Sequence, residues 1–338
     1  MYTPIPTRVV GPVKMASDVF SGQVRVPLAT FEAPLWHSVN RGAKLSRSLG
    51  GIKLTLIDDK MTRSILLQAT DAAYALKVKR ELSEHYEKFG ELIAKGSSFT
   101  KYQGFHCELV ANLIYLRLVF TTGCAAGHNM ATKAAQAIQD WLLKTYGGLS
   151  YVSISANYCV DKKNSAINGI LGRGKRVIAE LLIPSKECNQ VLKVTPEKLV
   201  DLNIKKNLIG SILAGGVRSA NAHFANMLLA FYLAIGQDAA NLVEGSQGIT
   251  HAEVCGNDLY FSITLPNIII GAVGAGKDFP AIKHNLQSLG IDEFGDDSAQ
   301  YLAIIAAAIV WCGEISLLAA EVIPGQLVRS HLALERKR

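Results

Sequence analysis

Apolar and polar positions change period in a fixed order between residues 64 and 155. Residues 64–68 alternate as a short strand. Asp71 then stands where a helix N-cap belongs, ahead of an apolar stripe at helical spacing through Tyr74, Val78, Leu82, Tyr86, Phe89 and Ile93 that Gly96 closes. Two strand-like runs follow, at 105–110 and 113–121. A second helix carries Met130, Ala134, Ile138, Trp141 and Thr145 on one face and stops at Gly147-Gly148. Residues 151–155 read as a last strand. The order β-α-β-β-α-β is that of a ferredoxin-like unit, which assigns residues 65–153 to a small domain. Residues 1–64 and 154–338 then form a larger mixed α/β domain into which it is inserted, an α+β architecture overall. In the larger part, 176–184 and 259–270 read as strands. Residues 219–236 read as a helix apolar on most sides and therefore buried, and 297–318 as a long core helix.

The composition fits two packed domains. A chain of 338 residues with 49% hydrophobic and 19% charged positions is neither disordered nor collagen-like. Its 35 basic and 28 acidic residues give +7, which suits an anionic partner: nucleic acid, a membrane surface or a phosphorylated cofactor. The six cysteines are far apart with no C-x-x-C pair, so neither a metal site nor a disulfide framework is expected. The first residues lack the apolar stretch of a signal peptide. The uncharged run 259–276 contains Pro266, Asn267 and three glycines and reads as strand–turn–strand, not as a bilayer span. A cytoplasmic protein with no membrane segment is the expectation.

Several constellations could carry chemistry. Gly169 to Lys175 has the G-x4-G-K spacing of a phosphate-binding loop, but Arg176 replaces the magnesium-binding hydroxyl, so a turn entering a strand is the better reading. Gly271, Gly274 and Gly276 miss the dinucleotide spacing and read as a tight turn between strands whose backbone N–H groups could still approach an anion. Asp161, Lys162 and Lys163 follow a strand directly. They suit a solvated turn, a nucleic-acid patch shared with Arg173, Lys175 and Arg176, or an ammonium held where negative charge develops on an oxygen. No aromatic residue interleaves the basic run as a stacking platform requires. His223 and Asn226 share one helix face. Asp238, just beyond that helix, opposes its dipole and needs a cation, Lys206 or Lys162. Glu32 lies in an apolar stretch and needs a partner of its own. His331 falls in a tail too short to pack much.

In order and over nearly the whole chain, these segments resemble the catalytic portion of class I 3-hydroxy-3-methylglutaryl-coenzyme A (HMG-CoA) reductases. Tyr2-Thr-Pro-Ile-Pro with Gly11-Pro12 resembles the family's Y-M-P-I-P and G-P. The stretch from Pro27 through Glu32 to Ser38-Val-Asn40-Arg41-Gly42 resembles P-M-A-T-T-E and S-T-N-R-G, with Met61-Thr-Arg63 after it. Ser155 to Lys163 is nearly S-G-N-Y-C-T-D-K-K. Asn203-Ile-Lys-Lys206, Asn221-Ala-His223 with Asn226, Gly236-Gln-Asp-Ala-Ala240, the 271–276 glycines and Leu327-Val-Arg-Ser-His331 complete the series.

The resemblance implies a two-step, four-electron reduction of HMG-CoA to mevalonate and free coenzyme A by two reduced nicotinamide cofactors. Lys162 would stabilise the oxyanion, His331 would protonate the departing thiolate, Glu32 would donate to the aldehyde oxygen, and Asp238 would tune Lys162 and Glu32. Substrate contacts carry over to Arg63, Ser155, Asp161, Lys163, Lys206 and Asn226, and coenzyme A phosphate contacts to Asn40, Arg41 and Lys44. Cofactor contacts carry over to Gly123, Cys124, Gly127, Asn129, Met130, Gly274 and Gly276. The family's G-D-A-M-G-M-N-M reads here Gly-Cys124-Ala-Ala-Gly-His128-Asn-Met130, and its S-R-F-A-R reads Ser97-Ser98-Phe99-Thr100-Lys101. NADPH is the expected cofactor, and these departures leave NADH use open. The family assembles its sites between subunits, which implies a homodimer or larger here. The chain starts inside the family's E-N-V-I-G-Y segment, so part of a dimer contact is expected to be missing. The alternative is a non-catalytic descendant that binds acyl-coenzyme A.

Overall fold

The computed structural model describes residues 3–335, without the side chains of His331, Leu334 and Glu335. A hairpin of β1 (Thr7–Ala16) and β2 (Gly22–Ala29) leads through helix α1 (Pro34–Ser48) into β3 (Ile52–Ala69), the longest strand. Helices α2 (Ala72–Glu81) and α3 (Tyr86–Ala94), strands β4 (Lys101–Val110) and β5 (Leu113–Thr121), helix α4 (His128–Thr145) and strand β6 (Leu149–Ser153) follow. Beyond them come a short helix α5 (Ala166–Leu171), β7 (Gly174–Ile183), β8 (Ile249–Cys255) and β9 (Asp258–Ile268).

The expected short strand at 64–68 is the far end of β3, which belongs to two sheets. Its first half pairs antiparallel with β7, Lys53 opposite Glu180 through Lys60 opposite Gly174, in the order β2-β1-β3-β7-β9-β8. From Met61 onward it pairs with β5 on one side and β6 on the other, giving β4-β5-β3-β6. Charge hides the continuity: Asp58, Asp59 and Lys60 interrupt the alternation. Cross-strand and local pairing keeps them in the sheet, with Lys175 Nζ 3.0 Å from Asp59 and Lys60 Nζ 2.8 Å from Asp58.

Other boundaries shift for local reasons. Asp71 caps α2 by accepting from the Tyr74 N–H, as expected. The stripe that follows is not one helix, because a 3-10 turn at Leu82–His85 separates α2 from α3. There the His85 ring meets Trp141 edge-on at 4.9 Å and its Nε2 lies 2.6 Å from the Tyr146 hydroxyl. Strand β6 starts two residues before the expected 151. The apolar helix expected at 219–236 runs only over Phe224–Ala234. Its approach is pinned as a loop by the buried carboxylate of Glu314, which accepts from the Ala222 and His223 N–H groups at 2.7 and 3.1 Å. Among the described residues no strand follows the glycines after β9; the chain turns into the helix Pro280–Ser288, which corrects the strand–turn–strand expectation.

Two hydrophobic cores result. One surrounds the central helix Ser298–Val322, packed against the large sheet, and the other fills the space under α2, α3 and α4. Ile269, just past β9, is counted in the second core, so the two are keyed together. The central helix is long and apolar enough to cross a membrane, and 94% of its apolar window is buried inside the fold.

Helix α1 lies so close to the central helix that Gly42 has no room for a methyl group: a Cβ there would stand 2.3 Å from the Cys312 carbonyl oxygen. Alanine is the better helix former, but overpacking outweighs that gain. Gly42→Ala is expected to lower stability by roughly 1–3 kcal/mol, read as an earlier urea midpoint with an unchanged slope.

Candidate functional site

The loop between β6 and α5 carries the Asp-Lys-Lys sequence, and its backbone is unusual. Asn157, Val160 and Lys162 all take left-handed φ values, 56°, 47° and 56°, a costly conformation for non-glycine residues that persists only where the surroundings enforce it. The enforcement is visible. Ser64 Oγ accepts from the Tyr158 and Cys159 N–H groups at 3.0 and 2.9 Å. Asn168 Nδ2 donates to the Val160 carbonyl at 2.9 Å, and the Glu244 carboxylate accepts the Lys162 N–H.

Beneath the loop lies Arg173, 1% exposed, with one guanidinium nitrogen 3.0 Å from Asp161 Oδ1 and another on Glu244. Arg173 and Lys175 are therefore internal ion-pair partners and no exposed basic face, contrary to the nucleic-acid alternative. His128, the first residue of α4, points Nε2 at Asp161 Oδ1 from 3.4 Å. Burial pushes the Asp161 carboxyl upward. The His128 hydrogen bond and the Arg173 charge outweigh it and hold the group well below the usual carboxylate range. Glu244 goes the other way: burial, with Asp161 nearby, pushes it up to about 7 against the pull of Arg173. His128, Asp161 and Glu244 bring donor atoms within 4.8 Å of one another, the spacing of a metal cluster, but the Arg173 guanidinium already supplies the cation to both carboxylates.

Lys162 itself reaches outward. Its Nζ lies 2.7 Å from Asp238 Oδ2, so of the two expected cations Lys162 is the one that answers the acid beyond the apolar helix. That hydrogen bond raises the pKa of Lys162 and lowers that of Asp238. The turn bearing Asp238 is fixed from behind by Lys277, whose Nζ donates to the Ile235 carbonyl at 2.6 Å. Burial pushes this lysine down to about 8.

A second group lines a cavity of about 410 Å³ between α1, the apolar helix, the central helix and the helix Gln326–Glu335. Glu32 accepts from Asn226 Nδ2 at 2.8 Å. His223, on the same wall, has Nε2 2.9 Å from the Gly313 carbonyl. Arg41 donates from Nε to Ser316 Oγ at 2.9 Å, and Lys206 pairs with Glu321 at 2.7 Å. The tail is not too short to pack: it forms a helix whose Gln326, Leu327 and Ser330 line this cavity. His331 lies in that helix, but its side chain falls outside the described residues. Among the described residues, no hydrogen bond or ion pair joins Glu32 to Lys162 or Asp238, so the expected tuning of Glu32 by Asp238 is absent within one chain.

A third group is made of backbone. Gly123 and Gly127 have φ of 55° and 91°, and Gly127 precedes α4 without a side-chain cap, which leaves first-turn N–H groups for an anion. Against this turn lies the 271–276 loop: the Ala272 N–H donates to the Cys124 carbonyl at 2.8 Å, and a Cβ on Gly271 would stand 2.3 Å from the Ala126 nitrogen. Gly274 and Gly276 have φ of 112° and 89°, and Gly274 faces open space. Asn129 sits in the first turn of α4, and Met130 lines a smaller cavity of about 180 Å³ with Ser97, Thr100 and Lys133.

The remaining expected contacts are scattered more widely. Arg63 Nε donates to the Ile154 carbonyl at 3.2 Å, the Ser155 N–H donates to Ser153 Oγ at 3.0 Å, and Lys163 Nζ donates to the Asp161 carbonyl at 3.2 Å. Asn40 Oδ1 accepts from the Gly11 N–H at 2.8 Å, and Lys44 is exposed on α1. Glu244, Glu314 and Lys277 were missed by sequence reasoning, which placed Arg173 only in a basic patch. The usable signal was charge without an obvious surface: an acid or base inside an apolar run.

Asp161 sets an acid limit. Its folded pKa lies below the unfolded one, so its contribution is present above about pH 4 and lost as pH falls below that. The melting temperature is expected to fall progressively as pH drops below about 4. Asp161→Asn should start lower and lose less over the same range; an unchanged acid profile would contradict the pairing.

Comparison with known proteins agrees with this geometry. The family description "Hydroxymethylglutaryl-coenzyme A reductase" matches residues 1–336. A 3-hydroxy-3-methylglutaryl-coenzyme A reductase of Pyrococcus horikoshii is 42% identical over 98% of this chain and 81% of its own length. One from Aeropyrum pernix is 40% identical over 98% and 79%. The solved class II enzyme of Streptococcus pneumoniae, described as bound to NADPH in open conformations, shares the fold at TM-score 0.75 and 18% identity, covering 95% of this chain and 86% of that one. The chain belongs to the hydroxymethylglutaryl-coenzyme A reductase family.

Proposed function

We infer that the protein reduces HMG-CoA to mevalonate and free coenzyme A with two reduced nicotinamide cofactors, as a class I member of its family. The observation that carries this is the Lys162 ammonium, fixed by Asp238 on an enforced loop, within a chain that matches the family throughout.

The glycine turn at 123–127, the uncapped start of α4 and the open backbone at Gly274 suit the phosphates of a nicotinamide cofactor. Residues 65–153 are its domain, and 1–64 with 154–338 bind the thioester. Cys124, with its free thiol half-exposed, stands among the proposed contacts with Gly123, Gly127, Asn129, Met130 and Gly276. NADPH is the proposed cofactor, with Lys101 of the altered 97–101 motif and Lys133, which lines a cavity with Ser97 and Thr100, as the proposed cations. When bound, the cofactor supplies a hydride at the thioester stage and again at the aldehyde stage.

The protein's own groups handle charge and protons. Lys162, kept protonated by Asp238, stabilises the oxyanion that forms on the thioester carbonyl. Collapse of the hemithioacetal breaks the carbon–sulfur bond and expels a thiolate, to which His331 delivers a proton. Glu32 protonates the oxygen of the aldehyde as it is reduced. Arg63, Ser155, Asp161, Lys163, Lys206 and Asn226 hold the acyl group, and Asn40, Arg41 and Lys44 the coenzyme A phosphates.

Among the described residues no hydrogen bond or ion pair joins Glu32 to Lys162 within one chain, which supports a site completed by a second copy in a homodimer or larger assembly. The exposed apolar side chains of Phe31, Ile204, Ile209, Ile212, Leu213 and Val217 offer a face for it. The proposed location is the cytoplasm.

Purified protein with HMG-CoA is expected to consume two reduced nicotinamides per thioester, followed at the reduced-nicotinamide absorbance band with NADPH and NADH in parallel. Lys162→Ala should abolish turnover in a folded protein, whereas His331→Ala should slow thioester reduction and spare reduction of free mevaldehyde, which expels no thiolate. Thioester binding without any nicotinamide oxidation would favour the non-catalytic alternative.

Subunit sharing has its own test. Glu32→Gln and Lys162→Ala, each inactive alone, should recover about a quarter of wild-type sites when mixed and allowed to exchange subunits, since half the dimers are mixed and each then holds one intact site. No recovery on verified exchange would place both groups in one subunit's site.

A further inference from the structure

Glu321 is an acid in an unfavourable place. It sits in the last turn of the central helix, where the dipole is negative and a carboxylate is disfavoured, and its side chain lines the cavity that holds Glu32, Asn226 and Arg41. One cation answers it: Lys206, with Nζ 2.7 Å away. Side-chain exposures of 21% for Glu321 and 35% for Lys206 show a pair partly withdrawn from water, and Glu321 Oε2 has no hydrogen-bond partner beyond that ion pair.

Two other polar groups of the cavity are occupied differently. Arg41 donates to Ser316, from Nε to the hydroxyl and from Nη2 to the carbonyl, and Glu32 holds Asn226. An incoming carboxylate therefore finds its cation, Lys206, already covered by a carboxylate of the protein. Two acids cannot share that ammonium closely without repulsion.

We propose that Glu321 is an internal stand-in for the free carboxylate of the substrate's acyl group: it covers Lys206 in the empty site and is displaced when that carboxylate binds, making it a specificity-determining residue. This rests on the reading of the cavity as the acyl site. Displacement leaves Glu321 at a helix end without its cation, so the exchange discriminates against acyl groups that bring no negative charge of their own. A neutral acyl chain has nothing to offer Lys206 in return. The ion pair thus sets a threshold that only an acidic ligand crosses, and it weakens binding of that ligand by the cost of its own rupture.

The probe is free 3-hydroxy-3-methylglutarate, titrated into the whole chain by calorimetry. Glu321→Gln is expected to bind it about three- to tenfold more tightly and to lower the KM for the thioester by a similar factor. Glu321→Asp should behave as the wild type, and the affinity for coenzyme A alone, which lacks the acid, should not move. Unchanged or weaker binding by Glu321→Gln, or no binding to either protein, overturns the proposal. If the wild type oxidises no nicotinamide yet Glu321→Gln binds the dicarboxylate more tightly, the enzymatic reading fails and the stand-in role holds. If nicotinamide is oxidised and the affinities are equal, the reverse is true.

Discussion

A guanidinium buried to 1% exposure carries a desolvation cost of several kcal/mol unless carboxylates meet it. Arg173 is met by two, and their positions explain much of the molecule. Asp161 comes from the loop after β6 and Glu244 from the helix Leu242–Gly245. Glu244 also takes the backbone N–H of Lys162. One buried charge therefore ties the loop to the large-domain framework, keeps three left-handed residues in place and leaves the Lys162 ammonium free to reach Asp238. Removing either acid would strand a buried cation, which is more costly than never having placed it there.

The same region joins the two sheets. Strand β7 begins one residue after Arg173, and Gly174 pairs with Lys60, where β3 passes from one sheet to the other. From the second sheet, Arg117 on β5 donates to Asn168 Oδ1 at 3.1 Å and to the Gly172 carbonyl at 2.9 Å. The Ala125–Val273 bridge adds a backbone contact on the other flank. Motion of one sheet against the other therefore acts on the loop that holds Lys162 and on the glycine turn at once. This places the proposed cofactor contacts and the proposed oxyanion group on mechanically linked segments.

Apolar periodicity made α4, the central helix and the joint stripe of α2 and α3 legible, because a stripe facing a core survives in the sequence whatever it packs against. Strands β5 and β9 were legible for the same reason. Strand β3 was not, since Asp58, Asp59 and Lys60 break its pattern and their partners lie on a distant strand. The helix at 219–236 was read too long because the group that stops it, Glu314, comes from the central helix. Among candidate site residues, a local electrostatic argument called for a cation at Asp238 but left Lys206 and Lys162 equal, and the fold chooses Lys162. The separation of Glu32 from that pair was not legible, since spacing along a chain carries no information about which groups meet across the fold. The family resemblance named residues; it could not say that Lys206 would face Glu321.

Asp238 and Glu321 are each met by a lysine at 2.7 Å, from different starting points. Glu321 lies in the last turn of the central helix, where the macrodipole opposes a carboxylate. Asp238 stands past the apolar helix and accepts the Ala240 N–H at 3.0 Å as the cap of the next turn. Each lysine is thus held by an acid of the fold before any ligand arrives. For the proposed role of Lys162 this has a direct chemical meaning: the bond to Asp238 raises its pKa, so it stays charged and suits a fixed cation better than a proton donor. A preorganised charge needs no reorientation when an oxyanion develops beside it, whereas a free lysine on an exposed loop would have to give up rotamer freedom and hydration to do the same. The two pairs thus fix the position of each lysine and the charge it presents to a ligand together, and a change to either acid alters both.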